Sequence, residues 1–261
     1  MSRGSLRAPS RLRFAISLAL LGSFYSPLPA HAQSAREIID LVDQLMRGES
    51  STARITMDIR TENWDRSLTL RTWSLGADYS LIRVETPQRE AGMATLMAGQ
   101  EVWNYLPRVD RTIKVPSSMM AGSWMGSHFS NDDLVKESRL VDDFSIEIAF
   151  NGEREGTEVW EFVLTPLPEA PVVWGKIRYQ VRKEDFMPTW TRYYDESDEI
   201  VRTMIFSEFR VMGSRLVPSV MTMVPADKPG ETTVIRYHEL DFDVDLDEDF
   251  FSLRNLRRES R

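Results

Sequence analysis

Residues 34–60, SAREIIDLVDQLMRGESSTARITMDIR, contain the change of hydrophobic period that decides the fold. In the first half, apolar side chains recur at helical spacing, and Ser34 with Glu37 forms a capping box. From Ala53 onward, apolar residues alternate strictly with polar residues. The stretch therefore predicts an amphipathic helix that ends near Gly48, followed by a β-strand with one buried face.

Alternating apolar and polar residues recur along most of the remaining chain. They are clear in Phe144–Phe150 and Ile177–Val181, and turn residues such as Asn151-Gly152 separate the runs. Many short strands without helices between them predict a mainly β fold with a few helices (α+β), built on one curled antiparallel sheet. Further helical patterns occur at 117–125, at 131–137 with Asn131 as the cap, and at 247–251. Because no low-complexity linker divides the chain, we expect residues 33–261 to form a single domain.

Residues 1–32 have the composition of a cleavable signal peptide. Four arginines and no acidic residue precede the apolar stretch Phe14–Tyr25, and Ala30-His31-Ala32 is a small-x-small cleavage site. The apolar stretch has about 12 residues, which is too short to span a bilayer. We therefore predict cleavage before Gln33 and export of the mature chain to the periplasm.

The 261-residue chain contains no cysteine, 32 Lys+Arg and 40 Asp+Glu. The lack of cysteine excludes disulfides, thiol catalysis and Cys-ligated zinc or iron–sulfur clusters. It also excludes a lipobox, so the protein is not itself an acylated lipoprotein. The net charge is −8, and removing the four arginines of residues 1–32 makes it −12. A chain this acidic is not expected to bind nucleic acid.

No catalytic or metal-binding motif stands out in the chain. The mature chain retains His128 and His238, and a Ser/His/Asp arrangement built around His128 from distant residues remains open. The acidic ladder Asp241–Asp249 alternates with apolar residues and lacks the glycine and the glutamate that a calcium loop requires. The ladder therefore indicates a final strand or edge with one solvated face. We expect no enzymatic activity, no cofactor and no bound metal.

Residues 116–130, PSSMMAGSWMGSHFS, combine glycines and serines with large apolar side chains. One interpretation is a loop whose apolar residues plug one end of a barrel. The other is a mobile lid over an apolar cavity, because methionine adapts to varied apolar partners and glycine permits movement. The composition fits both interpretations. The residues of a lid that would contact a ligand are Met119, Met120, Trp124, Met125 and Phe129.

A series of motifs lies between residues 83 and 135. The set comprises Pro87 and Gly92, then Trp103-Asn104-Tyr105-Leu106-Pro107, the basic strand Arg111–Lys114, the segment 116–130, and Asn131-Asp132-Asp133-Leu134. In these motifs the chain resembles the LolA-like outer-membrane lipoprotein-sorting proteins of the periplasm. The resemblance is strongest to the branch associated with RND-type exporters, and it extends more loosely over the whole mature chain.

The resemblance implies a half-open antiparallel β-barrel of about eleven strands, with an N-terminal helix and a helical or loop lid over an apolar concavity. Members of this superfamily carry lipoproteins or lipids across the periplasm, receive them at the outer membrane, or sense envelope stress. They need no cofactor. On the concave face, the expected ligand contacts are Trp73, Leu96, Trp103 and Tyr105.

We therefore expect a monomeric periplasmic carrier or chaperone for a lipid or an acylated protein, working with an RND-type inner-membrane transporter. The alternative is an envelope sensor or adaptor that binds a membrane-protein partner through the open sheet edge or the lid. A secreted hydrolase that uses His128 is the third hypothesis.

Overall fold

A thirteen-stranded antiparallel sheet dominates the structure, which is a computed structural model. The structure describes Met1 and residues 34–136, 140–170 and 172–258, so the predicted signal peptide and its cleavage site lie outside the described residues apart from Met1. The strands of the first half are β1 (Ser50–Arg60), β2 (Asp65–Leu75), β3 (Tyr79–Thr86), β4 (Ala94–Ala98), β5 (Glu101–Leu106) and β6 (Arg111–Lys114). Those of the second half are β7 (Phe144–Arg154), β8 (Thr157–Pro166), β9 (Lys176–Arg182), β10 (Pro188–Tyr194), β11 (Ile200–Met212), β12 (Arg215–Pro225) and β13 (Thr232–Phe242).

The order of the strands explains why the sheet stays open. Strands that follow one another in sequence pair as neighbours, with the exception of β6 and β7, and the first strand β1 also pairs with the last strand β13. The two edges of the sheet are β6 and β7. The sheet is therefore open between two strands that are consecutive in sequence. The mainly β, half-open antiparallel fold is thus confirmed, with thirteen strands where about eleven were expected. Residues 115–143 connect the two edges in sequence, and two of the described residues among them, Trp124 and Phe129, are buried in the main core.

The N-terminal helix α1 (Ala35–Arg47) begins and ends as its sequence predicts. The Ser34 side chain accepts from the Glu37 backbone N–H, the Glu37 side chain accepts from the Ser34 backbone N–H, and the chain leaves the helix at Gly48 with φ +69°. The apolar face of α1, including Ile38 and Val42, is buried in the main core. The helix therefore lies across the concave side of the sheet.

The other helical segments are short. They are α2 (Asp133–Lys136), α3 (Leu140–Asp143), α4 (Leu253–Leu256), and 3-10 turns at Pro107–Val109, Ser117–Met119 and Glu248–Phe250. The pattern at 117–125 thus yields only one 3-10 turn, because the chain then bends at successive loop residues. The backbone N–H of Asp133, the first residue of α2, donates to the Ser130 hydroxyl and not to Asn131, whose side-chain amide donates to the carbonyls of Met119 and Gly122. Among the described residues, no helix is long and apolar enough to cross a membrane.

Apolar side chains pack on both faces of the sheet. The concave face carries the main core, with Met57, Leu70 and Phe162 fully buried. The opposite face of β2–β5 is covered by residues that follow β13, whose Phe251 and Leu256 are buried in a second apolar cluster. The acidic ladder leads into this covering segment. Its first residue, Asp241, lies in the final strand β13 as expected, but β13 ends at Phe242 and lies between β1 and β12, so the ladder does not form a sheet edge.

Candidate functional site

A cavity of about 380 Å³ lies between helix α1 and the concave face of the sheet. Its volume is within the range of about 300–1,000 Å³ that small-molecule sites occupy. Most of the side chains that line it are apolar. They include Ile39, Met46, Ile55, Met204, Phe206 and Met221. The alternation of the strands turns these residues inward, and the helical spacing of α1 turns Ile39 and Met46 towards them.

One end of the cavity is polar. Asp43 and Arg47, one turn apart on α1, form an ion pair and line the cavity together with Ser51 and Ser74. The two serine hydroxyls, on β1 and β2, lie 2.7 Å apart and hydrogen-bond to each other. Burial raises the pKa of Asp43, and the neighbouring Arg47 guanidinium opposes this rise. We call these four residues the polar end of the cavity.

The opposite end is closed by residues 123–130, which we call the plug. Ser123 and Ser130 form an isolated antiparallel bridge, and the backbone N–H of Trp124 donates to the backbone carbonyl of Phe129 over 2.8 Å. This tight loop turns the Trp124 and Phe129 side chains into the main core, where both are buried and line the cavity. The chain reverses at Met125 and Gly126, both with positive φ, a conformation that glycine adopts without strain.

Polar contacts fix the plug to three parts of the sheet. Trp124 Nε1 donates to Thr95 Oγ1 over 3.1 Å, and Arg66 Nη1 donates to the Met125 carbonyl over 2.7 Å. Just beyond the plug, the carboxylate of Asp133 forms a buried ion pair with Arg202, with one N–O distance of 2.8 Å. The Arg202 guanidinium also lies 4.5 Å from the ring centre of Trp174. These contacts favour the static plug interpretation for residues 123–130.

His128 belongs to these anchors. Its Nδ1 lies 2.8 Å from Thr233 Oγ1, and its Nε2 lies 2.9 Å from Glu231 Oε2. The hydrogen bond from His128 and a second one from the Glu62 backbone N–H lower the pKa of Glu231. The order Thr–His–Glu resembles a catalytic triad, but Thr233 is fully buried, with 0% of its surface exposed. The Ser127 hydroxyl donates instead to the Trp124 carbonyl, so the geometry favours an anchoring role for His128.

The nine residues expected to contact a ligand do not lie in one place. Trp73, Trp124 and Phe129 line the cavity. Leu96, Trp103 and Tyr105, with Trp73 as a further neighbour, pack in the second cluster against the segment that follows β13. Trp73 contacts Phe250 there, with 5.7 Å between ring centroids.

The methionines of the 116–130 segment have separate environments. Met119 is 60% exposed, Met120 packs in a small cluster with Met97 and Val102, and Met125 packs against the main core. None of the three is among the residues that line the described cavity. The structure therefore brings the two aromatic residues of this segment to the cavity and leaves its methionines outside.

Several cavity residues were not singled out from the sequence. They are the α1 residues Ile39, Asp43, Met46 and Arg47, and the inward residues Met204, Phe206 and Met221 of β11 and β12. The sequence nevertheless contains a periodic pattern that marks these residues. Residues 39, 43, 46 and 47 recur at helical spacing, and Arg202, Met204 and Phe206 share one parity along a strand. That signal identifies a buried face, but a filled core and a hollow one have the same pattern.

Comparison with known proteins assigns the chain to a family. A protein-family model with the description "Uncharacterized protein" matches residues 76–258, which is most of the chain. The chain belongs to this family. No curated protein sequence matches it significantly.

Three solved structures share the fold of this family member. A DUF1329 family protein from Desulfovibrio piger is 22% identical, with a TM-score of 0.78 over 85% of this chain and 97% of that one. A putative outer membrane lipoprotein-sorting protein domain from Vibrio parahaemolyticus is 21% identical, with a TM-score of 0.75 over 86% and 98%. A LolA superfamily protein from Nitrosomonas europaea is 20% identical, with a TM-score of 0.73 over 86% and 100%. At these identities the likeness establishes the fold, which is LolA-like.

Proposed function

We propose that this protein is a periplasmic carrier that shields an acyl chain of a lipid or of a lipidated protein inside its cavity. The observation that carries the proposal is the apolar cavity of about 380 Å³ between α1 and the open sheet. Each CH₂ moved from water into such a site contributes roughly 0.8 kcal/mol, so shielding a chain of about sixteen carbons contributes on the order of 12 kcal/mol. A completely filled barrel offers no such space.

The topology supports the same proposal. The sheet is open between β6 and β7, so an occupant can enter without breaking strand pairs. Transfer then needs only a difference in affinity between donor, carrier and acceptor, and no catalytic group. One LolA-like neighbour is described as a putative outer membrane lipoprotein-sorting domain, which agrees with a periplasmic carrier. An RND-type inner-membrane transporter is the donor that we propose.

The alternative, a sensor or adaptor that binds a membrane protein, draws on a different feature. The edge strand β7 is eleven residues long and largely exposed, with Ile148 among its exposed apolar side chains. An exposed edge is able to pair with an added strand. The adaptor hypothesis predicts binding at β7 and an empty cavity, whereas the carrier hypothesis predicts an occupied cavity.

Native mass spectrometry of the protein, purified from the periplasm without detergent, distinguishes the two. The carrier hypothesis predicts a species heavier than the polypeptide by the mass of a lipid, and organic extraction should release that lipid. A polypeptide mass alone, together with retention of a membrane protein that is lost in an Ile148→Lys variant, would favour the adaptor. A Val211→Lys variant, altered at an exposed residue of β11, serves as the matched control.

A further inference from the structure

The turn between β5 and β6 and the edge strand β6 expose apolar side chains. Val109, in the turn, is 61% exposed, and Ile113, on β6, is 46% exposed. A single exposed apolar residue is common on protein surfaces, whereas neighbouring ones with a polar rim mark an interaction surface. Neither residue lines the described cavity, so the carrier function does not account for their exposure.

Three arginines accompany these apolar residues. Arg108 and Arg111 lie on either side of Val109 in sequence, are exposed, and form no ion pair with another described residue. Arg257, which follows α4, donates from its Nε to Thr112 Oγ1 over 2.9 Å, so a third guanidinium stands beside β6. The name edge patch is used below for Arg108, Val109, Arg111, Ile113 and Arg257.

The local charge is opposite in sign to that of the chain. Residues 108–114 contain three basic side chains and one acidic side chain, in a chain whose net charge is −8. The acidic residue, Asp110, accepts a hydrogen bond from the Tyr105 hydroxyl over 3.1 Å. Lys114 is left out of the patch because it forms an ion pair with Glu101. Basic groups that gather against the overall charge indicate an anionic partner.

We propose that the edge patch docks the protein on a bilayer surface that contains anionic phospholipids. Guanidinium groups bind phosphate in a bidentate manner, and apolar side chains between them enter the boundary between head groups and acyl chains. A soluble acidic partner would use the arginines but leave Val109 and Ile113 in water. The inference goes beyond the proposed carrier function, which concerns the cavity. Since β6 borders the opening of the sheet, docking there brings that opening to the membrane.

Co-sedimentation with vesicles tests the choice of partner. The protein, purified from the periplasm, is mixed at low salt with vesicles of phosphatidylcholine alone or of equal parts phosphatidylcholine and phosphatidylglycerol. Each arginine near an anionic surface strengthens binding about fivefold, so we expect the anionic vesicles to be bound more than about tenfold more tightly. The preference should disappear in about 1 M NaCl, which screens the attraction.

Two variants separate the charged part of the patch from the apolar part. Arg108→Gln combined with Arg111→Gln should weaken binding to the anionic vesicles roughly 25-fold, about fivefold for each arginine. Val109→Asn keeps the charges and should weaken binding about tenfold, the effect of withdrawing a valine side chain from an apolar phase. All three side chains are exposed, so the melting temperatures should match that of the wild type.

The matched control is Arg210→Gln combined with Val211→Asn on β11, where Val211 is 72% exposed but Arg210 already pairs with Glu208. This variant should bind both kinds of vesicle as the wild type does. Equal binding of the two vesicle types by the wild type, binding of neither, or unchanged binding by the two patch variants would overturn the proposal. Binding of a fluorescent acyl probe is measured on the same proteins, so that the carrier function is judged separately.

Discussion

Trp124 shows at the scale of one residue why the plug is part of the fold. The residue is only 4% exposed and packs in the main core, and its indole N–H donates to Thr95 Oγ1. Met119, five residues earlier in the same apolar segment, is 60% exposed. Two large apolar side chains of one loop therefore make different contributions to the free energy of unfolding.

We predict that Trp124→Ala lowers the free energy of unfolding by ~3–5 kcal/mol, the usual cost of deleting a buried aromatic ring. Met119→Ser should change it by no more than about 0.5 kcal/mol, since the side chain already meets solvent. Chemical denaturation of both variants provides the values. If both are equally mild, residues 123–130 act as a mobile lid and the plug interpretation is wrong.

The register of β1 sets which side chains reach the concavity, and it is testable at the scale of the element. Met57 is fully buried, while its neighbour Thr56 faces the other side and contacts His238 Nε2 at 2.6 Å. Met57→Asp buries an unpaired carboxylate, which costs several kcal/mol and approaches the stability of a whole domain. Thr56→Asp should cost under about 1 kcal/mol. Equal losses of melting temperature would show that the register is shifted.

The attachment of the plug to the start of β13 makes part of the stability depend on pH. Hydrogen bonds from His128 and from the Glu62 N–H lower the pKa of Glu231 below its ordinary value. Because the folded pKa is the lower one, the stabilisation is present above the ordinary carboxyl pKa and is lost as the pH falls through the folded pKa. It is therefore complete near neutrality.

We expect the melting-temperature difference between wild type and Glu231→Gln to be constant near pH 7 and to shrink below about pH 4. An exposed turn residue supplies the control, Glu196→Gln, which should show no such trend. A difference that stays the same down to acid pH would mean that the Glu231 carboxylate does not help to hold the plug.

At the scale of the whole molecule, the prediction of a cleavable signal peptide is directly testable. We predict that protein from the periplasmic fraction begins at Gln33 within a few residues, because Ala30-His31-Ala32 forms the cleavage signal. Intact-mass measurement gives the start directly. A full-length chain that stays in the membrane pellet would contradict both the cleavage and the periplasmic carrier.

Much of the architecture was predictable from the sequence, because it depends on local rules. The capping box at Ser34 and the alternation from Ala53 onward specify α1 and β1, and both form as predicted. The faces of β4 and β5 were not predictable. Leu96 and Trp103 were expected in the concavity, yet they pack in the second cluster on the other side of the sheet. Alternation marks two faces but does not say which is concave when both are apolar.

The site was harder to predict than the fold for a related physical reason. A cavity and a filled core are lined by the same residue types, so only the packed structure separates them. Arg47 illustrates this, since the sequence shows an ordinary Asp43–Arg47 pair at helical spacing. Its buried Nε and its place in the cavity wall follow from the course of α1 over the sheet.

The central claim is that the cavity holds an acyl chain, and filling the cavity tests it most directly. Thr72 lines the cavity from β2, so Thr72→Phe places a ring inside it, while Thr203→Phe makes the same change on the outward side of β11. The measurement is the stoichiometry of a fluorescent acyl probe bound to wild type and both variants, with thermal melts to confirm folding. The carrier function predicts that wild type and Thr203→Phe bind the probe and that folded Thr72→Phe does not. Equal binding by all three folded proteins would contradict it.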